Sequence, residues 1–125
     1  MGYRSDVCLC LSKDGWDSFA EKFNSSDRAI AETVNDLISN PTKHHSDKNS
    51  AAQLWFWEDI KWYPDYADIS FMESLMSDLN ADDYLYIRIG EDSDDNEVSG
   101  SFWDNPFGLY LSRQICFERP ENGNI

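Results

Sequence analysis

The chain reads as one α+β domain: a single mixed or mostly antiparallel sheet of about five strands, with two or three helices packed on one face. Three observations point there. Short apolar runs of period 2 occur near the start, in the middle and near the end of the chain. Amphipathic stripes of helical spacing fall in its first two thirds. Strand-like runs then follow one another with only turn residues between them. Helices early and a strand meander late favour segregated layers over alternating βαβ units. A length of 125 residues suits one domain that buries about two thirds of its unfolded surface. Residues 1–120 are read as that domain and 121–125 as a frayed tail.

Taken in order, Val7, Leu9 and Leu11 alternate with Cys8 and Cys10, so both faces of this strand are apolar and it belongs in the middle of a sheet. Ser12 or Asp14 caps a helix whose apolar face is Trp16, Phe19, Ala20 and Phe23. Asn24 to Asp27 breaks that helix and caps another carrying Ile30, Val34, Leu37 and Ile38, which Asn40-Pro41 ends. Residues 39–50 are polar throughout and are expected to form an exposed loop. Gln53 to Tyr63 is the next strand, with Leu54, Phe56, Ile60 and Trp62 on one face and Trp55, Trp57, Asp59, Lys61 and Tyr63 on the other. The charges Glu58 and Asp59 on both faces imply solvent on each side there, or a bulge. Pro64 and Asp65 open a third helix bearing Ile69, Met72, Met76 and Leu79. After a turn at Asn80 to Asp83, Tyr84 to Ile89 is a strand with Leu85, Ile87 and Ile89 inward. Gly90 to Asn96 is an acidic turn, Glu97 to Trp103 an antiparallel return, and Leu109, Leu111, Ile115 and Phe117 mark a last strand. The order is β-α-α-β-α-β-β-β.

Composition excludes several classes. Eighteen aromatic residues (five Trp, six Tyr, seven Phe) argue against disorder despite the net charge of −14. No apolar run approaches ~18 residues, so no membrane-spanning helix is expected. No positive-then-apolar leader precedes a cleavage site, and the expectation is a cytoplasmic protein. Three cysteines, Cys8, Cys10 and Cys116, are expected as buried free thiols, although one link from Cys116 to either of the others is open. A −14 chain is repelled by lipid headgroups and by nucleic-acid phosphates, so neither is an expected direct partner.

No catalytic constellation is legible. The two histidines, His44 and His45, are adjacent in the polar segment and cannot both face one metal or substrate from a strand or helix. A phosphate-cradling glycine loop is missing. Asp92, Asp94 and Asn96 occupy positions 1, 3 and 5 of a calcium-loop register, but Glu97 stands at the obligatory glycine and Trp103 at the bidentate carboxylate, which rejects the motif. Adjacent acids such as Glu58–Asp59 and Asp82–Asp83 are ordinary in so acidic a chain. The reading is non-enzymatic, with no metal and no cofactor.

The charge itself is uneven. Residues 58–104 hold fourteen carboxylates against Lys61 and Arg88, a net −12 out of −14. Solubility accounts for a magnitude of only ~2–8 in a small domain. The excess points to an acidic surface aimed at a basic groove of another protein, where it speeds encounter and selects partners. The candidate contacts are Glu91, Asp92, Asp94, Asp95 and Glu97 in the loop and Asp78, Asp82 and Asp83 at the preceding turn. Trp55, Trp57 and Trp103 are candidate aromatic anchors, to be weighed against a plain core role for the first two.

Three segments carry a resemblance: Met1 to Val7 (MGYRSDV), Trp57 to Tyr63 (WEDIKWY) and Ile87 to Asp95 (IRIGEDSDD), together about a fifth of the chain. They resemble a family of small uncharacterised acidic proteins encoded by bacteriophages and prophages. The resemblance carries over no catalytic residue. It implies a bacterial host and the company of host-defence inhibitors of the anti-CRISPR and anti-restriction kind, some of which mimic DNA. Two other classes remain open. A nucleotide-binding module would stack a base on Trp55, Trp57 or Trp62, with Lys61 and Arg88 for the phosphates. A minor virion or self-assembling protein would use an aromatic sheet face to form a homodimer.

Overall fold

The strand Ser5–Leu11 (β1) is the centre of the molecule, as its two apolar faces require. In a computed structural model, which describes residues 2–112 and 115, it is followed by helices Lys13–Ser25 (α1) and Arg28–Ser39 (α2). Strands Lys43–Ser46 (β2) and Gln53–Ile60 (β3), helix Ala67–Asp78 (α3), and strands Tyr84–Gly90 (β4) and Asn96–Gly100 (β5) complete the order. The five strands form one sheet in the order β2-β3-β1-β4-β5. Every neighbouring pair is antiparallel. The fold is α+β.

Local signals place the helices. The Ser12 side chain accepts from the Gly15 N–H and starts α1, and Asp27 does the same for α2 through the Ile30 N–H. Phe19, Val34, Leu37, Ile69, Met72, Leu75 and Met76 turn inward and meet Val7, Leu9, Leu11, Trp55, Trp57, Tyr84 and Tyr86 from one sheet face. Aromatic rings dominate this layer. Trp16 lies 5.5 Å from Trp55, and Trp57 lies 5.5 Å from Trp62 between ring centroids. The Trp57 indole N–H donates to the Leu37 carbonyl of α2 (2.9 Å), which ties strand to helix inside the core.

The opposite sheet face carries Cys8, Cys10, Leu54, Phe56, Leu85 and Ile87. One row runs straight across it, Lys43–Phe56–Cys8–Ile87–Val98, each residue paired with the next. Among the described residues no helix covers this face. Part of it is roofed by residues 102–111, which lay Phe102, Phe107, Leu109 and Leu111 over Cys10, Leu85 and Ile87. Asn105 organises that roof. It is buried, its amide donates to the carbonyls of Phe102 and Leu109, and its oxygen accepts from the N–H groups of Phe107 and Leu109.

Several expectations are corrected. The polar segment 39–50 contains an edge strand, β2, whose residues are all exposed. Its lysine and short length are features by which sheet edges are protected. It has no apolar alternation, so sequence pattern could not reveal it. His44 and His45 therefore point to opposite faces, His44 stacking on Trp55 at 5.2 Å. The expected last strand does not form over residues 109–112, and Cys116, Phe117 and the 121–125 tail lie outside the described residues. In β4, Leu85 and Ile87 face the roofed side, and Tyr84 and Tyr86 face the helices. The two aromatics carry the larger apolar area, and the thicker layer takes them.

A bulge settles the charged centre of β3. Val7 pairs with Trp57, but Ser5 pairs with Ile60, so the register shifts between them. Asp59 there adopts φ 57°, a left-handed conformation that Asp tolerates better than most residues. The shift turns Ile60 and Trp62 to the helix side, away from the face shared by Leu54 and Phe56. Strict alternation had put all four together.

Candidate functional site

The sequence-derived site residues separate in space into three groups. The first is the β4–β5 loop at residues 91–95, with Glu97 at its foot. Arg88, on the last turns of β4, is enclosed by acids. Its Nη2 and Nη1 reach the two Asp95 carboxylate oxygens at 2.7 and 3.2 Å, its Nε reaches Glu97 at 2.5 Å, and Nη1 also donates to the Ser5 hydroxyl. This forked geometry is the strong form of an ion pair. The Tyr3 hydroxyl donates to Asp95 in turn and accepts from the Asp92 N–H. The Arg4 N–H donates to the Glu91 carboxylate (2.5 Å), and the Gly90 N–H to the Asp95 carbonyl.

The loop is thus clamped between the N-terminal segment and β4. The Arg88 hydrogen bonds, and then the Tyr3 hydroxyl, hold the Asp95 carboxyl below its usual range. The same pairing with Asp95 raises Arg88. Tyr3 and Asp95 close over Gly90: a Cβ there would stand 2.2 Å from the Asp95 carboxylate and 2.3 Å from the Tyr3 hydroxyl and would push the pair aside. Asp95, Glu97 and Glu91 are therefore committed within the molecule. Asp92 and Asp94 are exposed, and their carboxylates make no hydrogen bond or ion pair among the described residues.

The second group sits at the other end of β4. Asp83 accepts from the Ser12 hydroxyl (2.9 Å), and its carbonyl accepts from the Ser12 N–H, so it braces the start of α1. Asp82 accepts from the Ser101 hydroxyl at 3.3 Å. Asp78, exposed at the end of α3, is unengaged among the described residues. The six strand steps of β4 from Tyr84 to Gly90, ~3.4 Å each, set the two backbone ends beside which these groups lie about 20 Å apart. The acids form two clusters at opposite ends of the β4–β5 hairpin.

The third group is the tryptophans, and here the structure overturns an expectation. Trp55 and Trp57 are 1 % and 3 % exposed and lie under the helices. They offer no surface to a partner. Trp62 is buried beside them, so none of these three indoles offers a face on which to stack a nucleotide base. The covering helices sit on the face that alternation assigned to Trp55 and Trp57, and alternation alone does not say which face that is. Trp103, by contrast, is 53 % exposed.

What the sequence reading missed is a groove on the second face, beside the roof. Its floor is Phe56, Cys8 and Ile87, its walls include Leu54, Ile89 and Leu111, and its volume is about 440 Å³. Burial pushes the Cys8 thiol up to about 12, so it is a lining group and no thiolate nucleophile. Asp6 lines the groove on β1, and Lys43 and His45 edge it on β2. A second depression continues past Ile89 and Leu111 to Asp94. Among the described residues no three His, Cys, Asp or Glu side chains gather as metal ligands, and no helix is long and apolar enough to cross a membrane.

No family model matches the chain, and neither a curated protein nor a solved structure matches it.

Proposed function

We propose that this protein acts by stoichiometric binding, docking its acidic β4–β5 loop on a basic, nucleic-acid-handling protein and so blocking that partner's nucleic-acid groove. The observation that carries the reading is the clamp around Arg88. A loop present only for solubility has no need of fixed geometry. This one is tied directly to Tyr3 and Arg4, and through Arg88 to Ser5, by side-chain and backbone hydrogen bonds. A pre-set loop loses little freedom when it binds, which favours affinity. The clamp leaves Asp92 and Asp94 pointing outward from a rigid base.

The second cluster supports the same reading. The ~20 Å between the two groups matches about six nucleotide steps at 3.4 Å along one strand. Two carboxylate clusters at that spacing suit a groove built to hold phosphates. The resemblance to phage and prophage proteins gives the biological setting, a DNA-mimicking inhibitor of the anti-CRISPR or anti-restriction kind acting inside a bacterial host.

The test is capture of the partner from host lysate at ~50 and ~500 mM salt, a range over which exposed charge pairs become strongly screened. It is run with the wild type and with a Asp92→Lys, Asp94→Lys double variant. The expected result is a nucleic-acid-binding protein held by the wild type at low salt, released at high salt or by added DNA, and not held by the variant. Equal capture by the charge-reversed variant sinks the proposal.

A further inference from the structure

The groove on the second sheet face adjoins the acidic loop, and its two ends carry opposite charge. Lys43 and His45 edge it on β2, Asp6 lines it on β1, and the depression that continues it past Ile89 reaches Asp94. Between them the Phe56–Cys8–Ile87 row supplies an apolar floor. From β2 to β4 the row crosses three strand spacings of ~4.8 Å, a span of about 14 Å, which an extended peptide covers in four or five residues.

We propose that this groove is the anchor site of the partner interface: it takes one apolar side chain of an extended peptide segment whose neighbouring Lys or Arg meets Asp94 and Asp6. The inference rests on the acidic-loop reading and extends it to a defined contact. Rim charges steer association and add affinity that salt screens, whereas a buried aromatic or aliphatic anchor inside the charged rim adds a further part that salt leaves in place. The loop is such a rim, and a volume of about 440 Å³ holds a large side chain with its flanking backbone. The charge polarity also sets direction. The basic residue of the segment lies on the Asp94 side of the anchor, and the Lys43 side takes neutral residues. Other occupants fit worse. A second copy brings another −14 charge against this one, and a nucleic acid brings phosphates against Asp6 and Asp94.

Two fluorophore-tagged synthetic peptides test this, Arg-Lys-Trp-Ser-Gly and the same peptide with Gly in place of Trp, titrated against the full chain by fluorescence anisotropy. The Trp peptide is expected to bind about tenfold more tightly, as a buried anchor should, and to keep that advantage at ~500 mM salt, where charge pairs are screened. Ile89→Ser should abolish the advantage. Ile89 is 44 % exposed, so this change leaves the core intact. Asp94→Lys should weaken both peptides alike. If both peptides bind equally and are lost together at high salt, the anchor is wrong and the acidic-loop reading stands. If neither binds, the anchor is wrong, and the lysate capture with the Asp92→Lys, Asp94→Lys variant decides the acidic-loop reading separately. A Trp advantage that survives Ile89→Ser overturns the groove as its seat. An advantage seen only after Phe117→Asp means that the chain's own residues past Ser112 fill the groove, which also overturns the proposal.

Discussion

The two faces of the sheet are built from the same strands and differ in what covers them. On one, three helices bury Trp55, Trp57, Tyr84 and Tyr86 in a thick aromatic layer. On the other, among the described residues, the segment 102–111 lays four apolar side chains over Cys10, Leu85 and Ile87 and leaves the Phe56–Cys8 side as a groove. Adjacent residues of β3 thus have opposite fates: Trp55 is core, and Phe56 beside it lines a surface cleft. Burial is therefore concentrated on one face, and the other keeps an apolar groove. The helix side supplies burial and the loop side supplies an accessible apolar surface next to an acidic rim.

The strongest way to break this comparison is to truncate one aromatic on each face. Trp55→Ala should cost about 3–5 kcal/mol, as large-to-small changes in a packed core do. Phe56→Ala should cost well under half of that, because its outer edge already faces the groove. Urea unfolding of the two variants measures the difference, and equal losses would erase the distinction.

A smaller effect sharpens it. Asn105→Ala removes a buried hub and leaves the carbonyls of Phe102 and Leu109 and the N–H groups of Phe107 and Leu109 without their partner. The expected cost is about 1–3 kcal/mol, the range for orphaned buried polar groups. The loss should be local to the roof. Alkylation of Cys10, followed by mass spectrometry of its peptide, should speed up while the near-ultraviolet circular dichroism of the helix-side tryptophans stays unchanged.

The smallest effect concerns the clamp at the groove's acidic end. Pairing with Arg88 and Tyr3 lowers the Asp95 folded pKa below its ordinary 3.8. A lowered carboxyl contributes stability that is whole above the unfolded value and fades as pH falls through the folded one. Wild type should therefore exceed Asp95→Asn in stability at neutral pH, and the two should converge as the pH drops below that range. Denaturant titrations at several pH values measure this. A constant gap down to the lowest pH would show that the ionised carboxylate contributes nothing.

Much of this was legible in local pattern. The central place of β1 follows from its two apolar faces, and the pattern put one helix cap at Ser12 or Asp14 and another within Asn24 to Asp27, of which Ser12 and Asp27 make the two starts. The bulge at Asp59 was one of two readings of paired charges in a strand, and a positive φ at an Asp is how the chain resolves it. Other features had no local signal. The edge strand β2 lacks apolar alternation because neither of its faces is buried, and Asn105 is one polar residue among many until its four bonds are seen. The clamp joins Tyr3 to Asp95 across 92 residues, which no window of sequence can show.

By itself, then, the sequence determined the fold class, the three helices, the central strand and the concentration of charge between residues 58 and 104, because these depend on periodicity, capping and composition within short stretches. The tertiary structure alone decided which face of β3 lies under the helices, which acids are tied down and which point outward, and that an apolar groove ends beside the acidic loop. Those depend on strand register and on contacts between distant segments, where a one-residue shift exchanges inside for outside.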